Sequence, residues 1–266
     1  MRALSEFPAK TAADITTVFA DIDDTLTTNG CLPAAAYRAL EDLYNAGFKV
    51  APITGRPAGW CDLIARFWPV HGVVGENGAF FFAYDSDTRQ MRREYFADAA
   101  TRAQNSNRLA HIQARVLAEV PGCAISADQP YREADLAVDF SEDVAPLGAS
   151  AVTHIKKIFE EEGAVAKISS IHVNGWYGDY DKLSMSSRFA AEVLGFDLEA
   201  NKTRVVFCGD SPNDAPMFGF FPNSCGVANV ADFAGQITCE PTWITASKGG
   251  EGFVELAEML MSSRKQ

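Results

Sequence analysis

Three carboxylates occur within five residues near the start of the chain, in the run Asp21-Ile22-Asp23-Asp24-Thr25. They follow residues 15–20, a β-branched and aromatic stretch typical of a buried parallel strand. Doubly wound sheets bind ligands beyond the carboxyl ends of such strands. Carboxylates this close repel one another unless a cation neutralises them, and oxygen ligands favour Mg²⁺. The run therefore predicts a magnesium site, with a solvated acidic loop or a helix cap as the alternative.

A second acidic cluster follows a second predicted strand, at residues 204–208. It reads Asp210-Ser211-Pro212-Asn213-Asp214, so Asp210 stands at the strand end and Asp214 lies one helical turn later. Such a sequence is also a common helix start. Two acidic clusters that each follow a strand are nonetheless better explained by one shared site, to which both contribute ligands.

Strand and helix patterns alternate on either side of these clusters, as they do in a parallel α/β sheet. Pro33 opens and Gly47 closes one helical pattern, and Pro57 opens another that runs through residue 67. The other predicted strands are 48–53, 72–75, 79–82 and 225–227, and the other predicted helices are 182–194, 252–261 and one after Ala215. We therefore predict an α/β fold built on a doubly wound parallel sheet.

Residues 85–180 have a different order of elements. Helices are predicted at 107–120 and 151–162, and strands at 124–126, 136–140, 166–170 and 171–176, which gives the order α-β-β-α-β-β. We interpret this segment as an α+β cap inserted into a core formed by residues 1–84 and 181–266.

Four motifs in this order resemble those of the haloacid dehalogenase superfamily of aspartate-nucleophile phosphohydrolases. The first is the run 21–25 and the fourth is the run 209–214. Thr54, in Ile53-Thr54-Gly55-Arg56-Pro57, is similar to the second motif, and Lys182 is similar to the third. The resemblance covers the core and implies a phosphatase, that is, a phosphoric monoester hydrolase.

The position of the cap and the run Glu76-Asn77-Gly78-Ala79 resemble subfamily IIB, which has a cap of type C2B. That subfamily includes Cof-type enzymes and the sucrose-phosphate, trehalose-phosphate and mannosyl-3-phosphoglycerate phosphatases. Asp24 resembles the polar residue of the sucrose and mannosylglycerate enzymes, where many Cof-type members have glycine. The implied substrate is a sugar phosphate or a similar small phosphorylated metabolite.

The resemblance assigns a role to each motif residue, in agreement with elementary chemistry. Asp21 would attack phosphorus and form an aspartyl-phosphate. Asp23 would act as general acid toward the leaving oxygen and then as general base for water. Thr54 and Lys182 would stabilise charge on the transferred phosphoryl group.

The implied cofactor is Mg²⁺, and the resemblance also implies its ligands. Asp21, the backbone carbonyl of Asp23, and Asp210 would bind the ion. Asp214 would orient those ligands, and Asn213 would hydrogen-bond the phosphate or a metal-bound water.

Recognition of the leaving group is expected to come from the cap, which can close over it and exclude water. Residues 129–135 and 171–177 are unusually polar and aromatic, a composition that suits sugar hydroxyls and ring faces. The candidate substrate-binding residues there are Arg132, Glu133, His172 and Asn174, with Arg56 contributed by the core. Each of them taken alone is more often a structural or surface residue.

Composition excludes several other classes of protein. The net charge is −12, with a pI near 4.8, and a negative charge is the wrong sign for a protein that binds nucleic acid. No stretch of 18 apolar residues and no apolar signal core occur, so we expect a cytoplasmic protein without a membrane segment. The six cysteines are scattered, which argues against zinc.

Two alternatives stay open, a phosphomutase of the phosphomannomutase type and a non-catalytic phosphometabolite sensor.

Overall fold

The computed structural model describes residues 1–264 and contains three β-sheets covered by helices. The strands are β1 (Arg2–Ala3), β2 (Thr17–Ala20), β3 (Lys49–Pro52), β4 (Val73–Gly75), β5 (Phe80–Asp85), β6 (Gln90–Tyr95), β7 (Ala124–Ile125), β8 (Asp135–Asp139), β9 (Val165–Ile168), β10 (His172–Trp176), β11 (Val205–Gly209), β12 (Cys225–Gly226) and β13 (Trp243–Ile244). The helices are α1 (Ala9–Asp14), α2 (Ala34–Asn45), α3 (Ala58–Phe67), α4 (Ala99–Glu119), α5 (Ala149–Glu161), α6 (Lys182–Phe189), α7 (Leu198–Asn201), α8 (Ala215–Phe220) and α9 (Gly249–Arg264). In this described range, no helix is long and apolar enough to cross a membrane.

The main sheet has six parallel strands in the order β1-β13-β12-β11-β2-β3. β2 is an interior strand with all four residues buried, which explains its continuous apolar sequence. Val18 packs into one apolar cluster with residues of α2 and α9, and the next residue, Phe19, packs into another with residues of α6 and α8. Helices thus cover both faces, and the predicted doubly wound parallel sheet is confirmed.

A second sheet, of order β4-β5-β6, differs from the prediction for residues 72–75 and 79–82. Its strands are antiparallel, whereas we expected them to extend the parallel sheet. A single parallel bridge between Ile53 and Val74 links it to the end of β3. The reason is the short connection between β4 and β5, since a tight turn can reverse the chain but cannot return it to a parallel neighbour.

The third sheet, of order β7-β8-β10-β9, is antiparallel, and we call it the cap sheet. Apolar residues of α4 and α5 pack against one face, where Leu136, Val138 and Val173 point. Because side chains alternate along a strand, Asp135, His172 and Asn174 have the opposite orientation, away from the helices. His172 and Asn174 on this face line a pocket together with Asp21, which directly follows β2.

Two elements in the inserted segment differ from their predicted extents. α4 begins at Ala99 instead of 107, with the Asp98 side chain accepting the N–H of Thr101 at 2.7 Å. β6 was not predicted, because Gln90–Tyr95 is mostly polar and exposed on an edge strand. It pairs with β5 although it falls within 85–180, and the division into core and cap at these boundaries stays a prediction.

Candidate active site

The carboxyl ends of β2 and β11 bring three buried carboxylates together. The backbone N–H of Asp21 donates to the carbonyl of Cys208 at 2.9 Å, which extends the β2–β11 pairing into the site. Asp21, Asp210 and Asp214 each place one carboxylate oxygen within 4.8 Å of the others. Both predicted clusters therefore meet at one edge of the sheet.

Lys182, the first residue of α6, supplies a cation to this group. Its Nζ lies 3.0 Å from Oδ1 of Asp21 and 2.6 Å from Oδ1 of Asp214. The helix start is fixed by Asp181, whose side chain accepts the N–H of Ser184 at 2.7 Å. Burial alone would lower the pKa of Lys182, but Asp21 and Asp214 outweigh burial and raise it. Lys182 is therefore the cationic partner of the nucleophile candidate.

Asp214 orients the loop that follows β11. Its Oδ2 accepts the backbone N–H groups of Asp210 at 3.0 Å and Ser211 at 3.3 Å, while its Oδ1 accepts from Lys182. A Cβ at Gly209 would collide with the Asp214 carboxylate, so only glycine permits this approach. Both oxygens of Asp214 are thus engaged by the protein, an arrangement that suits the positioning role expected for it.

Within residues 1–264, the side chain of Asp210 is paired with neutral donors only. Thr25 Oγ1 donates to one of its oxygens and Asn229 Nδ2 to the other, both at 3.3 Å. Burial, followed by the charges of Asp214 and Asp21, raises the pKa of Asp210 well above its usual range. Burial likewise raises the pKa of Asp21 to about 7, against the lowering effect of Lys182. Three carboxylates share one lysine, so the donor set fits a divalent cation bound through oxygen.

Thr54 and Asn213 border the same edge. The backbone N–H of Thr54 donates to the carbonyl of Val74, and its Oγ1 accepts the N–H of Arg56 at 3.1 Å. Asn213 donates through Nδ2 to Oδ1 of Asn77 at 3.4 Å. The Thr54 hydroxyl thus accepts a hydrogen bond from within its own loop, and the buried Thr54 is not among the residues that line the pocket described below.

Asp23 is held by Arg56 through a two-pronged ion pair. Arg56 Nε lies 2.9 Å from both carboxylate oxygens of Asp23, and Nη2 lies 2.7 Å from Oδ1. Arg56 is buried and also contacts Glu142 at 2.6 Å and Asp128 at 3.3 Å, both in the inserted segment. His172 Nε2 lies 2.9 Å from Glu142. The Arg56 guanidinium thus joins the predicted acid/base residue to the cap.

Arg132 is the second buried arginine at the boundary between core and cap. It contacts Asp128 at 2.8 Å and Asp135 at 2.9 Å, and it donates to the carbonyl of Gly55 at 2.9 Å. Asn174 donates to Asp135 at 3.0 Å. Arg132 therefore touches the loop of the second motif, and Asn174 helps to fix the carboxylate that pairs with it.

A narrow pocket contains most of the predicted residues. It is lined by Asp21, Asp23, Gly55, Arg56, Arg132, Ser169, Ser170, Ile171, His172, Asn174 and Asn213. An adjoining cavity of about 320 Å³ is lined by Asp23, Asp24, Arg56, Glu142 and Ser170 among others. The structure thus brings seven predicted residues from both segments into one pocket, directly beside a polar cavity.

Glu133 does not lie in that pocket. Its carboxylate is 3.7 Å from Arg102 in an ion pair that is partly exposed. It borders a different cavity of about 270 Å³, which Ser106 and Gln113 of α4 also line. The structure therefore places Glu133 outside the pocket of Asp21, in a cavity that it shares with Arg132.

Four residues near the site were missing from the sequence-based set. Glu142 and Asp128 hold Arg56, Asn229 donates to Asp210, and Glu76 accepts backbone N–H groups of the cap. Glu76 stands in the run that suggested the subfamily, so that run was an available signal. Glu142 and Asp128 depend on which cap surface meets the core, Asn229 depends on how a core loop packs beside Asp210, and no local pattern marks them.

The sequence matches no family model and no curated protein. Solved structures match its fold: a Thermoplasma acidophilum protein at 18% identity with a TM-score of 0.69 covers 93% of this chain and 98% of its own.

Two further structures carry functional names. A haloacid dehalogenase-like hydrolase from Bacteroides thetaiotaomicron is 15% identical with a TM-score of 0.62, over 92% of this chain and 98% of that one. The sucrose-phosphatase of Synechocystis sp. PCC6803, solved with sucrose and phosphate, is 13% identical with a TM-score of 0.61, over 92% and 97%. The chain therefore has the fold of the haloacid dehalogenase superfamily, with its parallel core sheet and a cap, as the four motifs predict.

Proposed function

We propose that this protein is a Mg²⁺-dependent phosphomonoesterase that hydrolyses a sugar phosphate or a similar small phosphorylated metabolite. The observation that carries the proposal is the placement of Asp21, which lies 3.0 Å from Lys182 and lines a pocket beside polar cap residues. Asp210 and Asp214 complete a buried acidic group next to it. A nucleophile, a cation and a leaving-group pocket are thus adjacent.

The proposed reaction has two steps. In the first, the Asp21 carboxylate attacks phosphorus, the bond from phosphorus to the ester oxygen breaks, and Asp23 gives its proton to that oxygen. In the second, Asp23 takes a proton from water, the hydroxide attacks the aspartyl-phosphate, and inorganic phosphate leaves while Asp21 is regenerated. Lys182 and the Thr54 hydroxyl stabilise the phosphoryl oxygens in both steps.

The metal would be held by Asp21, Asp210 and the backbone carbonyl of Asp23. Mg²⁺ bound there would supply positive charge opposite the phosphoryl oxygens. Asp214 would keep Asp210 in place through the backbone N–H groups of residues 210 and 211. The unmatched negative charge of the three carboxylates supports this assignment.

A sugar leaving group is supported by two observations. The cavity next to Asp23 is lined by hydroxyl and carboxylate groups, including Ser141, Ser170 and Asp24, which can hydrogen-bond sugar hydroxyls. The sucrose-phosphatase with the same fold was solved with sucrose and phosphate. We therefore extend the proposal to a sugar phosphate as the substrate class.

The test is phosphate release from a panel that includes sucrose, trehalose, mannosylglycerate and hexose phosphates. We expect turnover with Mg²⁺, loss of turnover with EDTA, and recovery on adding Mg²⁺ back. Asp21→Asn should lose at least about 10³-fold in kcat, because the nucleophile is removed. Asp42→Asn, an exposed change on α2, is the matched control.

Three results would overturn the proposal. Residual activity of Asp21→Asn close to that of the wild type would remove Asp21 as nucleophile. Activity that is unaffected by EDTA would show that the reaction does not require a metal ion. Strict dependence on a sugar bisphosphate activator, with phosphate returned to the product, would favour the phosphomutase alternative, and inactivity across the panel would favour the sensor.

A further inference from the structure

Glu142 lies in the turn after β8 and reaches from the cap to the core. Its Oε1 accepts a hydrogen bond from Nη2 of Arg56 at 2.6 Å, and its Oε2 lies 3.4 Å from Nη1. The same Oε2 is 2.9 Å from Nε2 of His172. Both carboxylate oxygens are therefore occupied by cap or core partners, although 26% of the side chain is exposed.

The backbone that carries Glu142 is itself fixed. The buried Asp139 side chain, at the end of β8, accepts the N–H groups of Ser141, Glu142 and Asp143 at 2.9, 2.7 and 2.8 Å. Such an Asx-type turn leaves the segment little freedom to move relative to the cap sheet. The position of the Glu142 carboxylate is thus set by the cap sheet.

Arg56 contacts both Glu142 and Asp23, so the position of one carboxylate affects that of the other. Its guanidinium is planar and presents donors in a rigid fork, so a shift at one edge moves the other edge as well. Nε contacts both oxygens of Asp23, Nη2 is shared between Asp23 and Glu142, and Nη1 contacts Glu142 and Asp128. Because Arg56 is 4% exposed, solvent has little access to screen these contacts.

We propose that Glu142 is a positioning residue that, by holding Arg56, orients the Asp23 carboxylate for proton transfer when the cap lies over the site. The inference rests on the proposed function, in which Asp23 exchanges the proton with the leaving oxygen. Glu142 then acts through Arg56, and the cap contributes to the chemical step as well as to recognition.

Two aryl esters test this role. Phenyl phosphate and p-nitrophenyl phosphate have nearly the same shape and no sugar hydroxyls, but phenoxide is the poorer leaving group and needs protonation more. A misplaced general acid should therefore slow phenyl phosphate more. For Glu142→Ala we expect kcat on phenyl phosphate to fall about tenfold or more, with KM within about threefold and a smaller loss on p-nitrophenyl phosphate.

The variants are chosen to separate positioning from folding and binding. Glu142→Gln keeps an oxygen that can accept from Arg56 and should retain part of the lost rate, which a merely structural role would not require. Asp143→Asn removes the neighbouring charge while keeping the N–H bond to Asp139, and it should behave as the wild type. Thermal melting of each variant checks that it is folded. If Glu142→Ala is not folded, Glu142→Gln takes its place in the kinetic comparison.

The outcomes are distinct. Equal losses on both esters, an unchanged kcat, or a raised KM at constant kcat would overturn the positioning role. A wild-type protein that releases phosphate from neither ester with Mg²⁺ would instead overturn the proposed function. An active wild type with an unaffected Glu142→Ala would contradict only the inference.

Discussion

Oε2 of Glu76 accepts a hydrogen bond from the backbone N–H of Ala134 at 2.6 Å, which joins the core to the segment entering the cap sheet. The same carboxylate accepts the N–H groups of Glu133, Asp135 and Ala58. Four backbone donors from two parts of the chain thus converge on one buried side chain.

We expect Glu76→Gln to destabilise the protein by about 2–4 kcal/mol, because the amide NH₂ would face backbone donors and leave some of them unpaired. The free energy of unfolding in urea measures this loss. Glu41→Gln, on the exposed side of α2, is the control and should change stability by less than about 0.5 kcal/mol. A Glu76→Gln protein as stable as the control would show that these hydrogen bonds are not needed.

Mg²⁺ should stabilise the folded protein, and Asp210 should be required for the effect. An ion at about 100 times its Kd adds about 2.7 kcal/mol to the free energy of unfolding, which appears as a raised Tm. In EDTA, Asp210→Asn should be at least as stable as the wild type, because burial of an uncompensated carboxylate is relieved. It should show no Mg²⁺-dependent shift, and an equal shift in both proteins would contradict the metal assignment.

Acid should weaken the contact of Glu142 with Arg56 and His172. Burial raises the pKa of Glu142, but the contacts with His172 and Arg56 outweigh it and lower the pKa from 4.5 to about 2, with Asp24 nearby acting against them. A lowered folded-state pKa stabilises the protein fully above 4.5, and this contribution is lost as pH falls toward 2.

Between about pH 6 and about pH 3, the free energy of unfolding of wild type should therefore fall more steeply than that of Glu142→Gln. Urea unfolding of both proteins at each pH gives the comparison. Parallel losses in the two proteins would mean that Glu142 is not ionised in a stabilising contact.

The charges of the leaving-group cavity predict a preference between substrates. Arg56 is already paired with Asp23, Glu142 and Asp128, and Arg132 is paired with Asp128 and Asp135. A second anionic group on the substrate would have to displace a carboxylate or lie beside one. We expect kcat/KM for sucrose phosphate to exceed that for mannosylglycerate phosphate by about tenfold or more, because like charges in an interface are unfavourable. The reverse preference would show that a carboxylate of the protein moves away on binding.

Motif residues were the part of the site that could be predicted from the sequence. Asp21, Lys182 and Asp210 lie directly at strand ends or a helix start, and such positions follow from local patterns. The predicted parallel pairing of residues 72–82 was wrong, because a short apolar run does not indicate whether its strand pairs in a parallel or an antiparallel way. The contacts of Glu142 and Asp128 with Arg56 depend on the docking of two layers that are distant in sequence, which leaves no periodic signal in either segment.

The order of strands also has a consequence for synthesis on the ribosome. β2 pairs with β3, which follows closely, and with β11, which is translated only after every strand of the cap sheet. Until residues 205–209 emerge, one edge of β2 has unpaired backbone groups and open apolar faces, the kind of surface that aggregates. Nascent chains halted before this point should therefore bind chaperones even where the cap sheet has already formed.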